Sequence, residues 1–277
     1  MRDISVYLPS PPTPVVFDVG PLTLRYFGLC VVAGIIVGTW LTARQLAGRG
    51  YDGALALESL FFIVPFGLAG ARLYYVATEY GEQYASNPLP SVIKIWEGGL
   101  GSYGAVAGGF VGLLLFCRFR RIDPLAFADA AAPGLVLGQA IGQWGNYFNQ
   151  ELFGRPSDLP WAVYIAPQNR PVQFADTASY HPAFLYEALW DVLVCLVLLW
   201  VARRFTDQLK AGDVFMLYVV LYASGHFLVE TLRVDQAFLI GGSVSGELLV
   251  SGALAVGFAL LLLSRHARPS RRQSASD

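Results

Sequence analysis

Apolar runs of membrane-spanning length recur along the chain, separated by shorter polar segments. A transmembrane helix needs about 20 largely apolar residues to cross about 30 Å of hydrocarbon. Runs that approach this length lie at residues 24–43, 55–77, 101–116, 125–145, 183–202, 214–232 and 248–263. The pattern predicts an all-α polytopic membrane protein with seven transmembrane helices and a small extracytoplasmic head formed by the outer loops.

Composition supports a place in the lipid bilayer. Of the 277 residues 55% are hydrophobic and 14% charged, and the mean hydropathy is +0.50, whereas soluble domains carry about 25% charged residues. The net charge of −1 says nothing by itself, because the charges are sorted by side of the membrane. No patch for nucleic acid is implied, and the basic face would meet anionic lipid headgroups. Cys30, Cys117 and Cys195 have neither the spacing of metal ligands nor an even count, so we expect small buried hydrophobic side chains rather than a disulfide or a metal site.

Arginines and lysines cluster on alternate connections. Most of them lie at positions 44–49, 118–121, 203–210 and 265–272. The alternate connections, residues 78–100, 146–182 and 233–247, hold few. By the positive-inside rule, the N-terminus is outside the cell and the C-terminus is cytoplasmic. We expect the first span to be retained, because the preceding stretch lacks the apolar core of a cleavable signal peptide.

One domain is expected over residues 1–264, followed by a basic cytoplasmic tail over 265–277. The proline-rich stretch through Pro21 is predicted to be irregular. Two stripes of glycines at four-residue spacing predict close packing of the third and fourth helices against neighbours. The first stripe is Gly104, Gly108 and Gly112, and the second is Gly134, Gly138 and Gly142.

Polar groups inside a membrane are functional candidates because they are costly unless paired. Tyr222, His226 and Glu230 recur at four-residue spacing in the sixth run, with Arg233 close to the same face. One hypothesis makes His226 a general base, with Glu230 one turn on to orient it, and the alternative makes it a spectator histidine in a degraded site. Arg72 lies deeper in the second run and is expected to pair with a carboxylate or a lipid phosphate.

The stretch "GQWGNYFNQELFG" follows the glycine stripe of the fourth run. Gly145 and Gly154 permit sharp turns there, so we expect Asn146, Asn149 and Glu151 to follow the helix and to hydrogen bond a ligand. Tyr103, with Trp96 and Glu97, begins the third run amid glycines, where the backbone could re-enter the membrane. These groups together predict a cavity near the outer leaflet that suits an amphiphile with an anionic head.

Four segments carry a resemblance to a known family. "GQWGNYFNQELFGRP", "IWEGGLGSYG", "HPAFLYEALWD" and "GHFLVETLR", taken in this order, resemble the bacterial phosphatidylglycerol prolipoprotein diacylglyceryl transferases. The family signature G-R-x-x-N-[FY]-x-N-x-E-x-x-G is matched at Gly142, Asn146, Tyr147, Asn149, Glu151 and Gly154.

The resemblance implies an enzyme of the bacterial cytoplasmic membrane. Its reaction would transfer a diacylglyceryl group from phosphatidylglycerol to the lipobox cysteine of a prolipoprotein, releasing glycerol 1-phosphate, with no metal or soluble cofactor. It implies catalytic roles for Tyr103, His226, Glu151 and Glu230. The implied substrate-binding residues are Gln143, Asn146, Asn149, Gly154, Arg72, Arg233 and Tyr222.

The chain departs from the family pattern at four positions of the expected active region. Gln143 and His226 each stand where the family has arginine, Tyr103 where many members have histidine, and Phe27 where they have tyrosine. Loss of a charged contact is worth about 1.5–3 kcal/mol. Two alternatives to an active transferase therefore stay open: a non-catalytic paralogue that binds phospholipid or lipoprotein signal segments, and a transporter, which Glu58 and Asp129 within the spans would suggest.

Overall fold

Seven long apolar helices dominate the computed structural model, which describes residues 8–11, 13–19, 22–79, 99–234, 238–240 and 244–267. Within those residues, all seven are long and apolar enough to cross a membrane, which confirms the predicted fold class. They are α1 (Tyr26–Gly48), α2 (Ala54–Glu79), α3 (Ser102–Arg120), α4 (Pro124–Asn149), α5 (Ala183–Arg204), α6 (Asp213–Glu230) and α7 (Gly246–Ala267).

Helix α4 continues beyond its predicted end. It runs through Asn149, so the prediction that Asn146 and Asn149 follow the helix is wrong. Gly145 is helical rather than a turn, and a Cβ built on it would lie 2.7 Å from the ring of Phe27. The glycine therefore serves close packing against the start of α1, as small residues do in membrane helices.

The N-terminal stretch forms a hairpin, so the predicted irregular structure is wrong there. Strand β1 (Val15–Val19) pairs antiparallel with β2 (Leu22–Arg25), and Thr23 Oγ1 donates a 2.9 Å hydrogen bond to Asp18 Oδ1. Both strands are rich in β-branched and apolar residues, which favour extended backbone over the effect of nearby prolines. At the other end of the chain α7 reaches Ala267, and the remaining tail lies outside the described residues.

Contacts divide the chain into two compact units, and the expected single domain stays a prediction. The first unit comprises Met1–Leu41 and Ala132–Asp277. Its membrane core packs α4, α5 and α6 around Val136, Val194 and Leu198, all at most 1% exposed. Close approach of α1 and α4 requires glycine at Gly34 and Gly38 of α1, since Cβ atoms built there would lie 2.6 Å from the carbonyl oxygens of α4. Within the predicted stripe, a Cβ built on Gly138 would lie 2.9 Å from Gly34 O.

A small folded segment connects α4 to α5 within the first unit. Strands β3 (Val163–Tyr164) and β4 (Ser179–Tyr180) pair antiparallel above a core that includes Phe153 and Ile165. Tyr180 is fully buried, and its hydroxyl donates a 2.8 Å hydrogen bond to Phe174 O. Burial raises the pKa of Tyr180, which keeps that donor protonated. The last hairpin, β5 (Phe238–Ile240) with β6 (Val244–Ser245), precedes α7.

The second unit comprises residues 42–131 and pairs α2 with α3. The predicted glycine stripe of α3 packs against the α2 backbone: a Cβ on Gly104 would lie 2.2 Å from Gly70 O. Glu58 forms an ion pair with Arg120 on α3. Pairing of this kind favours an interfacial role for Glu58 over a role in transport. Arg49 Nη2 reaches Asp129 O at 3.5 Å, and burial lowers the pKa of Arg49.

Candidate active site

A buried carboxylate joins three helices of the first unit. Glu187 lies in the second turn of α5 and is 6% exposed. Its Oε1 lies 2.8 Å from His226 Nδ1 on α6, and its Oε2 accepts a hydrogen bond from Gln143 Nε2 on α4. The two positions where an arginine was expected therefore meet on one carboxylate.

The amide of Gln143 is held from both sides. While Nε2 donates to Glu187, Oε1 accepts a 2.7 Å hydrogen bond from Asn146 Nδ2, one helical turn further along α4. A side-chain amide with its donor and its acceptor both engaged has a defined orientation. The Asn146–Gln143–Glu187 contacts therefore form a continuous hydrogen-bonded chain.

A second buried carboxylate anchors the end of α6. Glu230 is 1% exposed, and it accepts hydrogen bonds from Ser245 Oγ at 2.7 Å and from Arg233 Nη1 at 2.9 Å. Arg233 Nη1 also lies 2.8 Å from Glu247 Oε2 in the first turn of α7. Ser245 Oγ in turn accepts from Leu248 N and so caps α7.

His226 lies between the two carboxylate clusters and is partly exposed. Its Nε2 is 3.9 Å from Glu247 Oε2, and its ring stacks on Tyr222 with centroids 6.0 Å apart. The side chain of His226 is 22% exposed and that of Glu247 47%, while Glu187 and Glu230 are buried. The imidazole is thus fixed at Nδ1 by Glu187, while the side chain as a whole stays partly exposed.

The structure brings the predicted polar stripe of α6 into this network. Tyr222, His226, Glu230 and Arg233 lie together with Gln143 and Asn146, as the preceding contacts describe. The carboxylate that lies at hydrogen-bonding distance from His226 Nδ1 is that of Glu187, 2.8 Å away. Glu230 lies close by, with a ligand atom within 4.8 Å of one from His226, and it also accepts from Ser245 and Arg233. An orienting role for Glu230 stays a prediction.

Three residues of the network have the spacing of metal ligands. Ligand atoms of His226, Glu230 and Glu247 lie within 4.8 Å of one another. Arg233 already bridges the two carboxylates, which supplies the positive charge that a cation would bring. We therefore interpret the group as an ion-pair network, and the expectation of a metal-free site stays a prediction.

The remaining signature residues surround the end of α4. Asn149 Oδ1 is buried and has no hydrogen-bond partner within the described part of the chain. Glu151 is exposed, and its backbone N–H closes the helix on Asn146 O at 2.9 Å. Gly154 pairs with Arg233 in a β-bridge, and a Cβ there would lie 3.1 Å from Leu232 O, so its place in the fold is one of close backbone approach.

Two predicted site residues, Arg72 and Tyr103, belong to the second unit, whereas the network is described within the first. Arg72 is buried in the second unit, where its Nη1 donates to Gly99 O at 2.9 Å. Tyr103, in the same unit, is 46% exposed and contacts the ring of Tyr74. Trp96 and Glu97 lie outside the described residues, so the predicted re-entrant backbone stays a prediction.

Sequence reasoning missed the central role of Glu187 and the contribution of Glu247. The available signal was a pair of carboxylates, Glu187 and Asp191, one helical turn apart within an apolar run. Such groups inside a membrane are functional candidates by default. Asp191 Oδ2 is buried without a hydrogen-bond partner among the described residues, whereas Glu187 is fully engaged.

Comparison with known proteins gives one consistent result. A family model described as prolipoprotein diacylglyceryl transferase matches residues 14–263. Phosphatidylglycerol–prolipoprotein diacylglyceryl transferase 2 of Streptomyces coelicolor is 44% identical over 95% of this chain and 82% of its own length. The corresponding proteins of Paenarthrobacter aurescens and Synechococcus elongatus are 44% and 40% identical, over 97% and 90% of this chain and 87% and 86% of their own lengths.

Proposed function

The chain belongs to the prolipoprotein diacylglyceryl transferase family, and on that premise we propose that it is an active transferase of the bacterial cytoplasmic membrane. It transfers the diacylglyceryl group of phosphatidylglycerol to the lipobox cysteine of prolipoprotein signal peptides. The observation that carries the proposal is the hydrogen-bonded network around Glu187, in which Gln143 and His226 are held in place rather than left as remnants of a lost site.

The proposed orientation places this network at the outer face of the membrane. Glu187 and Glu247 lie near the starts of α5 and α7, and Glu230 ends α6. The opposite ends of α5 and α7 carry Arg203, Arg204 and Arg265 in their last turns. By the positive-inside rule, the arginine-bearing ends are cytoplasmic, which puts the N-terminus outside and the C-terminus inside. Lipoprotein precursors reach this outer face when they leave the cytoplasm.

The hydrogen-bond acceptors around this network suit the hydroxyl-bearing end of the phosphatidylglycerol head. Carboxylates and amide oxygens accept hydrogen bonds from hydroxyl groups, and Asn149 Oδ1 is a buried acceptor with no donor in the described chain. An unsatisfied buried acceptor costs about 1–3 kcal/mol, so a bound hydroxyl would stabilise it. We assign Asn146, Asn149 and Tyr222 to the glycerol head, and Gln143 to their alignment.

The charge balance of the network bears on where the phosphate binds. Among the described residues the network holds three carboxylates and one guanidinium: Glu230 and Glu247 pair with Arg233, and Glu187 pairs with His226. An anion is therefore not bound among the carboxylates themselves, and Arg233 is the proposed cationic contact of the first unit. Arg72 as a phosphate ligand, Tyr103 in proton transfer and Glu151 at the head are proposals that rest on the resemblance.

Label transfer to two matched peptides in proteoliposomes tests the activity. Purified protein is incubated with phosphatidylglycerol labelled in its acyl chains and with a lipobox peptide, beside the same peptide with cysteine replaced by serine. We expect label on the cysteine peptide and none on the serine peptide, because a thiolate is the far better nucleophile. A peptide that binds to the protein but gains no label would contradict the proposal.

A non-catalytic paralogue is the second candidate. It is favoured because Gln143 carries no charge and His226 is charged only when it is protonated. Arginine would supply a permanent bidentate cation at either position. If the wild-type chain only binds, the double variant Gln143→Arg, His226→Arg should gain transfer. If the wild-type chain is an enzyme built around these two residues, the double variant should lose it.

A further inference from the structure

We infer that His226 is the general base that removes the proton from the incoming thiol, and that Glu187 positions it. The proton acceptor is His226 Nε2. The inference rests on the proposed transfer reaction and assigns its proton-transfer step. It differs from an orientation by Glu230, because the carboxylate that lies 2.8 Å from Nδ1 is that of Glu187, while Ser245 and Arg233 donate to Glu230.

The hydrogen bond to Glu187 sets the tautomer of the imidazole. A carboxylate oxygen accepts, so Nδ1 of a neutral His226 carries the hydrogen and donates it to Glu187 Oε1. The lone pair is then on Nε2, on a side chain that is 22% exposed. A base oriented by a carboxylate at its other nitrogen is the arrangement that activates hydroxyl and thiol nucleophiles in unrelated enzymes.

Gln143 completes the arrangement by holding the carboxylate. It donates to Glu187 Oε2 while Asn146 donates to Gln143 Oε1 at 2.7 Å. Both carboxylate oxygens of Glu187 are therefore engaged by side chains of two different helices, which prevents its rotation away from His226. Glutamine suits this position because it is a neutral donor, whereas an arginine would compete with His226 for the negative charge of Glu187.

The neighbouring carboxylates favour the charged state that the base must pass through. When Nε2 takes a proton, the resulting imidazolium lies 2.8 Å from Glu187 Oε1 and 3.9 Å from Glu247 Oε2. Opposite charges within about 4–6 Å stabilise one another. The ring of Tyr222 stacks on the imidazole and fixes its plane.

The step conserves atoms and electrons without a co-reactant. The thiol proton moves to His226 Nε2, and the sulfur lone pair forms an S–C bond to the glycerol carbon that carries the phosphate ester. The C–O bond of that ester breaks, and its electron pair stays on the phosphate oxygen. The proton then passes from Nε2 to the departing glycerol phosphate, so the neutral imidazole is regenerated.

Substitutions at His226 separate a base from an ion-pair partner. His226→Arg retains a cation that can pair with Glu187 but cannot accept a proton at any working pH, and His226→Gln retains volume and polarity. If His226 is the base, both variants lose about 10²- to 10⁴-fold in kcat. If His226 only balances the charge of Glu187, His226→Arg should keep most of the wild-type rate, and the inference is wrong.

Raising the pH supplies a readout that a structural role would not change. A cysteine thiol with a pKa of about 8.5 is roughly 3% thiolate at pH 7 and about 90% at pH 9.5. The ratio of wild-type to His226→Gln rates should therefore shrink by at least about tenfold over this range, because the thiolate forms without the base. The ionisable groups that face His226 are Tyr222, Glu230, Arg233, Glu187, Asp191 and Glu247. Both proteins in the comparison retain all of them, so their titration affects the two rates alike.

The positioning role of Glu187 is tested by Glu187→Gln, with Glu58→Gln as the matched control in the second unit. We expect Glu187→Gln to lower kcat about ten- to hundredfold, with little change in KM for phosphatidylglycerol and with the same recovery at high pH. Glu58→Gln should leave kcat within about twofold. An unchanged kcat for Glu187→Gln, or a loss that does not recover with pH, would overturn the inference.

The outcomes also distinguish this inference from the proposed function. Wild-type protein that transfers label while both His226 variants remain active refutes the base and keeps the transferase. Wild-type protein that transfers no label at any pH refutes both. Gain of transfer in His226→Arg would likewise refute both, because it would show a site that lacks an arginine rather than one that uses a histidine.

Discussion

Removal of the negative charge from Glu230 should destabilise the protein far more than the same change at Glu247. Both carboxylates contact Arg233 Nη1, at 2.9 Å and 2.8 Å. Glu230 is 1% exposed and also accepts from Ser245 Oγ, whereas the side chain of Glu247 is 47% exposed. Loss of one partner from a buried ion pair costs about 3–5 kcal/mol, while an exposed pair contributes about 0–1 kcal/mol.

The value for Glu230→Gln falls at the lower end of this range. Arg233 keeps Glu247 as a partner, and glutamine can still accept from Ser245, so we expect a loss of about 3 kcal/mol. A change of 1 kcal/mol shifts Tm by roughly 2–4 °C in domains of about 150–250 residues. Glu230→Gln should therefore lower Tm by roughly 6–12 °C, and Glu247→Gln by no more than roughly 4 °C.

The comparison is made by heating both variants and the wild type in the same detergent and following tryptophan fluorescence at one heating rate. Four of the six tryptophans, Trp40, Trp144, Trp190 and Trp200, lie in the spanning helices α1, α4 and α5 and report on them directly. Equal shifts for the two variants would refute the reasoning, because the expected difference depends only on burial. A larger shift for Glu247→Gln would refute it as well.

Two further predictions concern backbone packing and an exposed ion pair. Gly154→Ala should lose about 1–3 kcal/mol of stability, because the new Cβ would lie 3.1 Å from Leu232 O. Gly142→Ala, whose new Cβ would have no atom within 4 Å, should be neutral or slightly stabilising in the same thermal assay. Arg120→Gln should cost less than about 1 kcal/mol, because its ion pair with Glu58 joins side chains that are 43% and 38% exposed; a Tm loss above roughly 5 °C would contradict this.

Hydropathy alone was sufficient to predict the seven helices, because each must satisfy its backbone internally and expose apolar side chains to lipid. Their ends were predicted less well. Gly145 suggested a break before Asn146, but its lack of a side chain is used to admit the ring of Phe27. The apolar run 125–145 ended where polar side chains begin, whereas the helix continues for one more turn through Asn149.

Helical periodicity was enough to predict which α6 residues of the site lie together, but it could not predict their contact with α5. Tyr222, His226 and Glu230 share a helical face at spacings of four, so their proximity was predictable from one segment. The contact between His226 and Glu187 joins residues 39 positions apart. Such contacts depend on which helices are neighbours and how each is rotated, and helix packing in lipid sets both through small residues rather than through any periodicity.

The most direct test of the proposed transfer is the intact mass of the lipobox peptide after incubation with the wild-type protein and phosphatidylglycerol of defined acyl chains, read together with the glycerol 1-phosphate released. We predict that the peptide mass increases by one diacylglyceryl group on the cysteine, with one glycerol 1-phosphate released per modified peptide. An unmodified peptide mass with no glycerol 1-phosphate, from protein that binds phosphatidylglycerol, would contradict the transferase and leave a lipid-binding member of the family.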